Sequence, residues 1–219
     1  MSEQSTTTTD VESLANEIAD SIDHDETIEL LQDLVQIRSP YFEEAEAAEF
    51  VYDWLDEHGL DPEYHHVSEP EITGFEGDQV IARLEGEDPD APTLLFNGHI
   101  DTVQIVEEWE EDPLSGRIED GKLYGQGACD MKGGTVAHMM AFKALAEADV
   151  EWAGDVLLTA VIDEEGPYGL GSDQLIRDGY TDDVDMAIVT EPGPILAQED
   201  IENPALLLGA RGRFLYEID

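Results

Sequence analysis

Cysteine, lysine and arginine are scarce in this chain. One cysteine, Cys129, occurs in 219 residues, so no disulfide can close within it. Unpaired thiols are the norm in a reducing compartment, and a cytoplasmic location is expected. Lysine and arginine together number 9 against 54 aspartates and glutamates, a formal net charge of −45. Only Lys122, Lys132 and Lys143 carry an ammonium. So negative a surface argues against nucleic acid and anionic membrane as partners. The first ten residues are rich in Ser and Thr and lack a basic region followed by an apolar core, so no signal peptide is expected. No apolar run is long enough to span a bilayer.

What is present supports a folded domain. Apolar residues make up 41% of the chain, ample for a core. The acids are interleaved with them along the whole length, unlike a disordered acidic tail. Adaptation to high salt is the expected cause, because dense carboxylates stay hydrated while salt screens their repulsion.

Residues 1–24 read as a mobile N-terminal tail, with helical spacing over 11–19. Residues 25–37 place Ile28, Leu31 and Val35 on one helical face, with Leu30, Leu34 and Ile37 beside it. That helix stops before Ser39-Pro40. A second helix over 43–58 turns Ala47, Phe50, Val51, Trp54 and Leu55 inward and ends at Gly59. Strands are expected at 79–84 and 93–97, a hairpin at 114–124, and a helix over 135–146 opened by the loop 127–134. A strand buried on both faces is expected at 155–162, a short helix at 171–178 and another buried strand at 185–189. Strands alternating with helices predict a three-layer α/β/α domain, class α/β, with a mostly parallel mixed sheet. Residues 25–205 are read as that domain, and 206–219 as the start of another, alternating like a β-hairpin.

The chemistry gathers after the strands. The run Pro92 to Phe96 delivers His99 and Asp101 to a strand's carboxyl end, where ligand sites of open α/β sheets lie. Two residues apart in extended chain, both side chains face one way. His99 can then ligate a metal while Asp101 accepts a hydrogen bond from the other ring nitrogen. Glu164 and Glu165 follow the strand at 155–162, Glu191 follows the strand at 185–189, and Asp130 sits in the glycine-rich stretch 125–134. One histidine with several carboxylates suits Zn²⁺, Co²⁺ or Mn²⁺. A carboxylate bridging two ions needs close approach, which glycines around Asp130 permit. One glutamate beyond the ligands is what metal-assisted hydrolysis requires as a general base.

Four motifs, Gly98-His99-Ile100-Asp101-Thr102, Gly125-x-Gly127-x-x-Asp130-Met131-Lys132-Gly133-Gly134, Asp163-Glu164-Glu165-Gly166 and Thr190-Glu191-Pro192, stand in this order. Together they resemble the co-catalytic zinc family of acetylornithine deacetylase, succinyl-diaminopimelate desuccinylase, aminoacylase and carboxypeptidase G. The resemblance implies a zinc exopeptidase-like catalytic domain that hydrolyses amide bonds of N-acyl amino acids or small peptides. It implies His99 and Glu191 as ligands of one zinc, Asp130 as the bridging carboxylate and Glu165 as a ligand of the second. Glu164 resembles the general base and Asp101 the residue that orients His99, with a cis peptide at Asp130-Met131. In that family a lid and dimerisation domain interrupts the catalytic domain, and the returning chain supplies a last histidine ligand. No histidine follows His138 here. The resemblance therefore implies an N-terminal half with an incomplete second metal site, nearly inactive alone, whose complete form is a homodimer.

Other residues read more plainly. Cys129 is expected as a small buried thiol. His138 lies mid-helix, His58 at a helix end, and His65 and His66 in a loop; each reads as a packing or surface residue and not a ligand. Lys132 is no P-loop lysine, since the glycine spacing is wrong. Arg211 suits either a substrate-carboxylate binder or a plain strand residue. Against the hydrolase stand two rivals: a non-catalytic or split metal-binding chain, and an acidic interaction protein without metal.

The charge density generates the first prediction. The melting temperature followed by circular dichroism rises from low salt to multimolar KCl; a melting temperature indifferent to salt refutes the halophilic reading.

Overall fold

The computed structural model describes residues 7–191 except Glu108 and Asp149. The expected hairpin at 206–219 and Arg211 lie outside the described residues.

Helix α1 is Thr7–Asp20, α2 His24–Gln36 and α3 Ala45–Glu57. Helix α2 starts where Asp23 accepts hydrogen bonds from the amides of Asp25 (2.9 Å) and Glu26 (3.1 Å), an N-cap that satisfies two free donors. Two acids in its first turn also suit the helix dipole. Helix α3 stops at Gly59, and the Leu60 amide reaches back to the Leu55 carbonyl at 3.0 Å. Strands β1 (Glu63–Glu69), β2 (Phe75–Leu84) and β3 (Thr93–His99) follow. A small hairpin, β4 (Arg117–Glu119) and β5 (Lys122–Tyr124), turns at Asp120-Gly121 as the sequence predicts. An irregular turn, Ala128–Lys132, leads into α4 (Gly133–Glu147), followed by β6 (Val156–Val161), α5 (Leu170–Arg177) and β7 (Val184–Val189). No helix among the described residues is long and apolar enough to cross a membrane.

The main sheet has the order β1-β2-β6-β3-β7. Pairs β3–β6 and β3–β7 are parallel, whereas β1–β2 and β2–β6 are antiparallel. The α/β class and the mixed sheet match expectation. The parallel share is smaller than expected, because β1 and β2 form an antiparallel pair that joins β6 through β2.

Alternation along the central strands divides the core between two faces. Val80 and Ala82 of β2, Phe96 of β3, and Leu158 and Ala160 of β6 join Leu34, Val51, Leu55, Met139 and Phe142 from α2, α3 and α4. Ile81, Leu95, Leu157 and Val161 face the other way, against Leu175 of α5. All six residues of β6 are buried, which is why its sequence is an unbroken apolar run.

Three expectations need correction here. The segment read as a mobile tail carries α1, whose Leu14 and Ile18, with Ile22 just beyond it, line an apolar cavity of about 520 Å³ with Leu94, Leu145 and Trp152. Strand β1 was missed because it is an edge strand with one aliphatic residue, Val67. His65 and His66 thus lie in a strand, and buried His65 places Nε2 2.9 Å from Asp178 and Nδ1 2.8 Å from the Gln79 amide nitrogen. Strand β7 is half-exposed to exposed, since it borders the sheet among the described residues.

His138, read as packing or surface, is a packing residue. It is buried in α4, its ring stacked on Phe96 with centroids 5.0 Å apart, and neither ring nitrogen has a hydrogen-bond partner among the described residues. Burial pushes its pKa down to about 4. Unfolded, the ring titrates near its ordinary value of about 6.5. As pH falls from about 6.5 towards 4, the unfolded chain takes up a proton that the folded chain refuses, so stability present above that range is lost. Urea unfolding at pH 7 and pH 5 should show His138→Leu losing about 2 kcal/mol less than the parent chain. Equal losses would mean that His138 is not buried neutral.

Candidate metal centre

Parallel pairing aligns the strand ends. His99 stands beside Val161 in the β3–β6 register, and Asn97 beside Val189 in the β3–β7 register. Glu164 and Glu165, just past β6, and Glu191, just past β7, therefore emerge at the edge where β3 delivers His99.

His99 is 1% exposed. Its Nδ1 lies 2.9 Å from the Asp101 carbonyl oxygen and 3.3 Å from the Asp101 carboxylate. With Nδ1 donating there, Nε2 is left as the ligating atom. Nε2 faces Asp130 and Glu191 oxygens at 3.3 Å each and Glu164 at 3.7 Å. The His99 carbonyl accepts from Thr135 Oγ1 at 2.8 Å, tying β3 to α4. Asp101, fully buried, also accepts the amides of Glu164 (3.1 Å) and Glu165 (2.9 Å). Asp101 thus orients the histidine, chiefly through its carbonyl, and holds the loop after β6 through its carboxylate, a second task the sequence did not disclose.

Asp130 sits in the irregular turn, with the cis peptide to Met131 that the resemblance implies. Gly127 enters this turn at φ 77°, a left-handed conformation natural to glycine. Gly134 permits close approach: a Cβ there would lie 2.4 Å from Thr190 Oγ1 and 2.5 Å from the Thr190 carbonyl. The start of α4 is thereby pressed against the residue preceding Glu191.

Two overlapping groups, His99 with Glu164 and Glu191, and His99 with Asp130 and Glu165, bring ligand atoms within 4.8 Å of one another. Of the expected site residues, His99, Asp130, Glu164, Glu165 and Glu191 form these groups, and Asp101 lies beside them, bonded to His99, Glu164 and Glu165. Glu164 and Glu165 lie in a bent loop entered through Asp163 at φ 56°, so strand alternation does not apply and both approach the cluster.

Carboxylates outnumber the one basic group in the cluster. Burial disfavours a charged His99 ring, but Asp101 and Glu191 outweigh it and push its pKa up to about 11. Burial, then repulsion from Asp130, pushes Glu165 up to about 7. Burial first, with Glu191 next, raises Asp130, and burial chiefly raises Glu164. Protons gather where carboxylates crowd. One imidazole nitrogen amid acidic oxygens is a donor set that fits borderline divalent cations.

Cys129 is exposed in this turn, against the expected buried thiol. Two buried residues went unrecognised. Lys132, 1% exposed, donates to the carbonyls of Leu34 (2.9 Å) and Ile37 (2.8 Å), and burial pulls its pKa down to about 8. Its rarity in so acidic a chain was the available signal. Glu44, 2% exposed, accepts the amides of Phe42 (2.8 Å) and Asp163 (3.1 Å), and burial pushes it up to about 7. Nothing distinguished it from the other acids.

Fold and site together define an α/β domain with a carboxylate-rich cluster at its strand ends, a candidate metal centre. A sequence model of peptidase family M20/M25/M40 matches residues 95–202, and the chain carries a domain of that family. It is 31% identical over 167 residues to a probable succinyl-diaminopimelate desuccinylase of Staphylococcus epidermidis, covering 75% of this chain and 39% of that protein. Its fold is similar to that of the dipeptidase Dug1p of Saccharomyces cerevisiae, with TM-score 0.68 and 20% identity over 83% of this chain and 41% of the other. It is also similar to the Bacillus subtilis YXEP protein, described as a dinuclear metal-binding peptidase of the M20 family. There the TM-score is 0.54, with 20% identity over 79% of this chain and 44% of the other. At such identities the two structures bear on the fold alone. The chain spans about two-fifths of the length of these proteins.

Gly134→Ala is expected to displace Thr190 and with it Glu191, at a cost of about 1–3 kcal/mol for overpacking. Denaturant titration measures it. Unchanged stability would show that α4 and the end of β7 do not meet this closely.

Proposed function

We propose that this chain supplies the metal-binding part of a two-metal hydrolase acting on amide bonds of N-acyl amino acids or small peptides. The observation that carries the reading is the convergence of Asp130, Glu164 and Glu191 on one histidine nitrogen, His99 Nε2, from the ends of separate segments. In this reading His99, Asp130 and Glu191 hold one zinc, with cobalt or manganese as substitutes. Asp130 also serves the second ion, together with Glu165. Bound divalent ions supply Lewis acidity that activates a water and polarises the scissile carbonyl. Glu164, half-exposed beside Nε2, takes the proton of the attacking water and returns it to the leaving amine. Asp101 keeps the His99 ring oriented through Nδ1 and holds the Glu164 backbone in place.

A second reading, a metal-binding chain without turnover of its own, is favoured by one observation. Beyond the shared Asp130, our assignment leaves the second ion only Glu165 among the described residues, and no histidine follows His138 in the sequence. The 219 residues alone are accordingly expected to hydrolyse amides at background rate. The complete enzyme would be a cytoplasmic homodimer.

Zinc titration of the chain at high salt should reveal one tight and one weak or absent site, with His99→Ala abolishing the tight one. Two equally tight sites would contradict the ligand assignment. N-acetyl and N-succinyl amino acids and dipeptides form the substrate panel. In any preparation that turns over, Glu164→Gln should retain the metal and lose about 10²–10⁴-fold in kcat. Metal loss in Glu164→Gln but not in Glu165→Gln would exchange the two roles.

A further inference from the structure

Residues 37–44 join α2 to α3 and contribute none of the candidate ligands, yet they bond to three of the four ligand-bearing segments. At one end the Lys132 ammonium, two residues after Asp130, donates to the Leu34 carbonyl (2.9 Å) in the last turn of α2 and to the Ile37 carbonyl (2.8 Å). In the middle Ser39 Oγ donates to the Ile100 carbonyl (2.7 Å), the Thr102 amide to the Ser39 carbonyl (2.8 Å), and the Tyr41 amide to the Thr102 carbonyl (3.0 Å). These three bonds flank Asp101 and follow His99 directly. At the other end the Glu44 carboxylate accepts from the amides of Phe42 (2.8 Å) and Asp163 (3.1 Å), and Asp163 immediately precedes Glu164 and Glu165.

Burial gives these bonds their force. Lys132, Ser39 and Thr102 are 1%, 1% and 4% exposed, and Glu44 is 2% exposed. Water cannot substitute for a partner there, so breaking a bond leaves a buried polar group unsatisfied. Beside His99 the ligands being held are carboxylates that repel one another, and loops alone would let them drift apart. One segment bonded to all three restrains their mutual distances.

We propose that segment 37–44 is a clasp that positions the metal centre, with Lys132 and Glu44 as positioning residues at its two ends. Lys132 acts through Asp130, Glu44 acts through Glu165, and Ser39 acts through the His99–Asp101 stretch. The clasp rests on the two-metal reading above.

The test is Co²⁺ titration of the full chain, read by calorimetry and by the visible absorption of the bound ion, with thermal melting of the same samples. Removing partners that orient metal ligands typically weakens binding about 10–100-fold. Lys132→Met keeps the apolar stem and loses the donors, and Glu44→Ala loses the acceptors. Both should bind Co²⁺ that much more weakly and with displaced absorption bands. Glu44→Gln keeps an acceptor oxygen and should restore the parent spectrum and affinity. Ser39→Ala removes one hydroxyl and no charge, and should weaken binding less while still shifting the bands. Folded Lys132→Met and Glu44→Ala with parent affinity and spectrum overturn the clasp, as does Glu44→Gln behaving like Glu44→Ala. If the charged variants do not fold, Ser39→Ala decides, and a parent spectrum and affinity there overturn it. A parent chain that binds no Co²⁺ overturns the two-metal reading itself and the clasp with it. Parent binding left unaltered by the variants overturns the clasp alone.

Discussion

Parallel pairing of β6, β3 and β7 is the constraint on which the site depends. Parallel strands end at one edge of a sheet, so residues that follow them meet there whatever their separation in sequence. His99 closes β3, Glu164 and Glu165 come three and four residues after Val161, and Glu191 comes two after Val189. The antiparallel strands β1 and β2 widen the sheet on the other side of β6 and bring no candidate ligand. Asp130 arrives differently, from the turn that opens α4, and α4 is tied to β3 through Thr135 and to the end of β7 through Gly134.

The same acidic residues serve two opposite purposes. On the surface, carboxylates are solvated singly and their repulsion is spread over a large area, where salt screens it. At the strand ends, several crowd around a nearly fully buried imidazole, and burial with mutual repulsion raises Asp130, Glu164 and Glu165 from their ordinary values. A cation relieves that crowding. Of the three lysines, the one beside Asp130 donates to backbone carbonyls at the end of α2, so its charge anchors structure instead of filling the centre.

Asp101 shows how one buried group can couple two loops. Its backbone oxygen receives His99 Nδ1 while its carboxylate receives the amides of Glu164 and Glu165. The histidine and both glutamates are therefore held by a single residue.

The sequence by itself determined the class of fold, the strands and helices with strong apolar periodicity, and the identity of every residue in the cluster. Those features are local. An apolar run marks β6 because both its faces are buried, and a histidine or acid placed after such a run must emerge at a strand end. Strand β1 escaped notice because an edge strand buries little, and α1 read only as helical spacing within a tail because most of its residues are exposed. Tertiary structure alone decided that β1 and β2 run antiparallel, that Glu164 and Glu165 both turn inward, that Cys129 is exposed, and that Lys132 and Glu44 are buried. Each of these depends on partners distant in the chain: Lys132 on carbonyls 98 and 95 residues away, Glu44 on an amide 119 residues away. Periodicity reports which face a residue presents, but it carries no record of which backbone group waits on the other side.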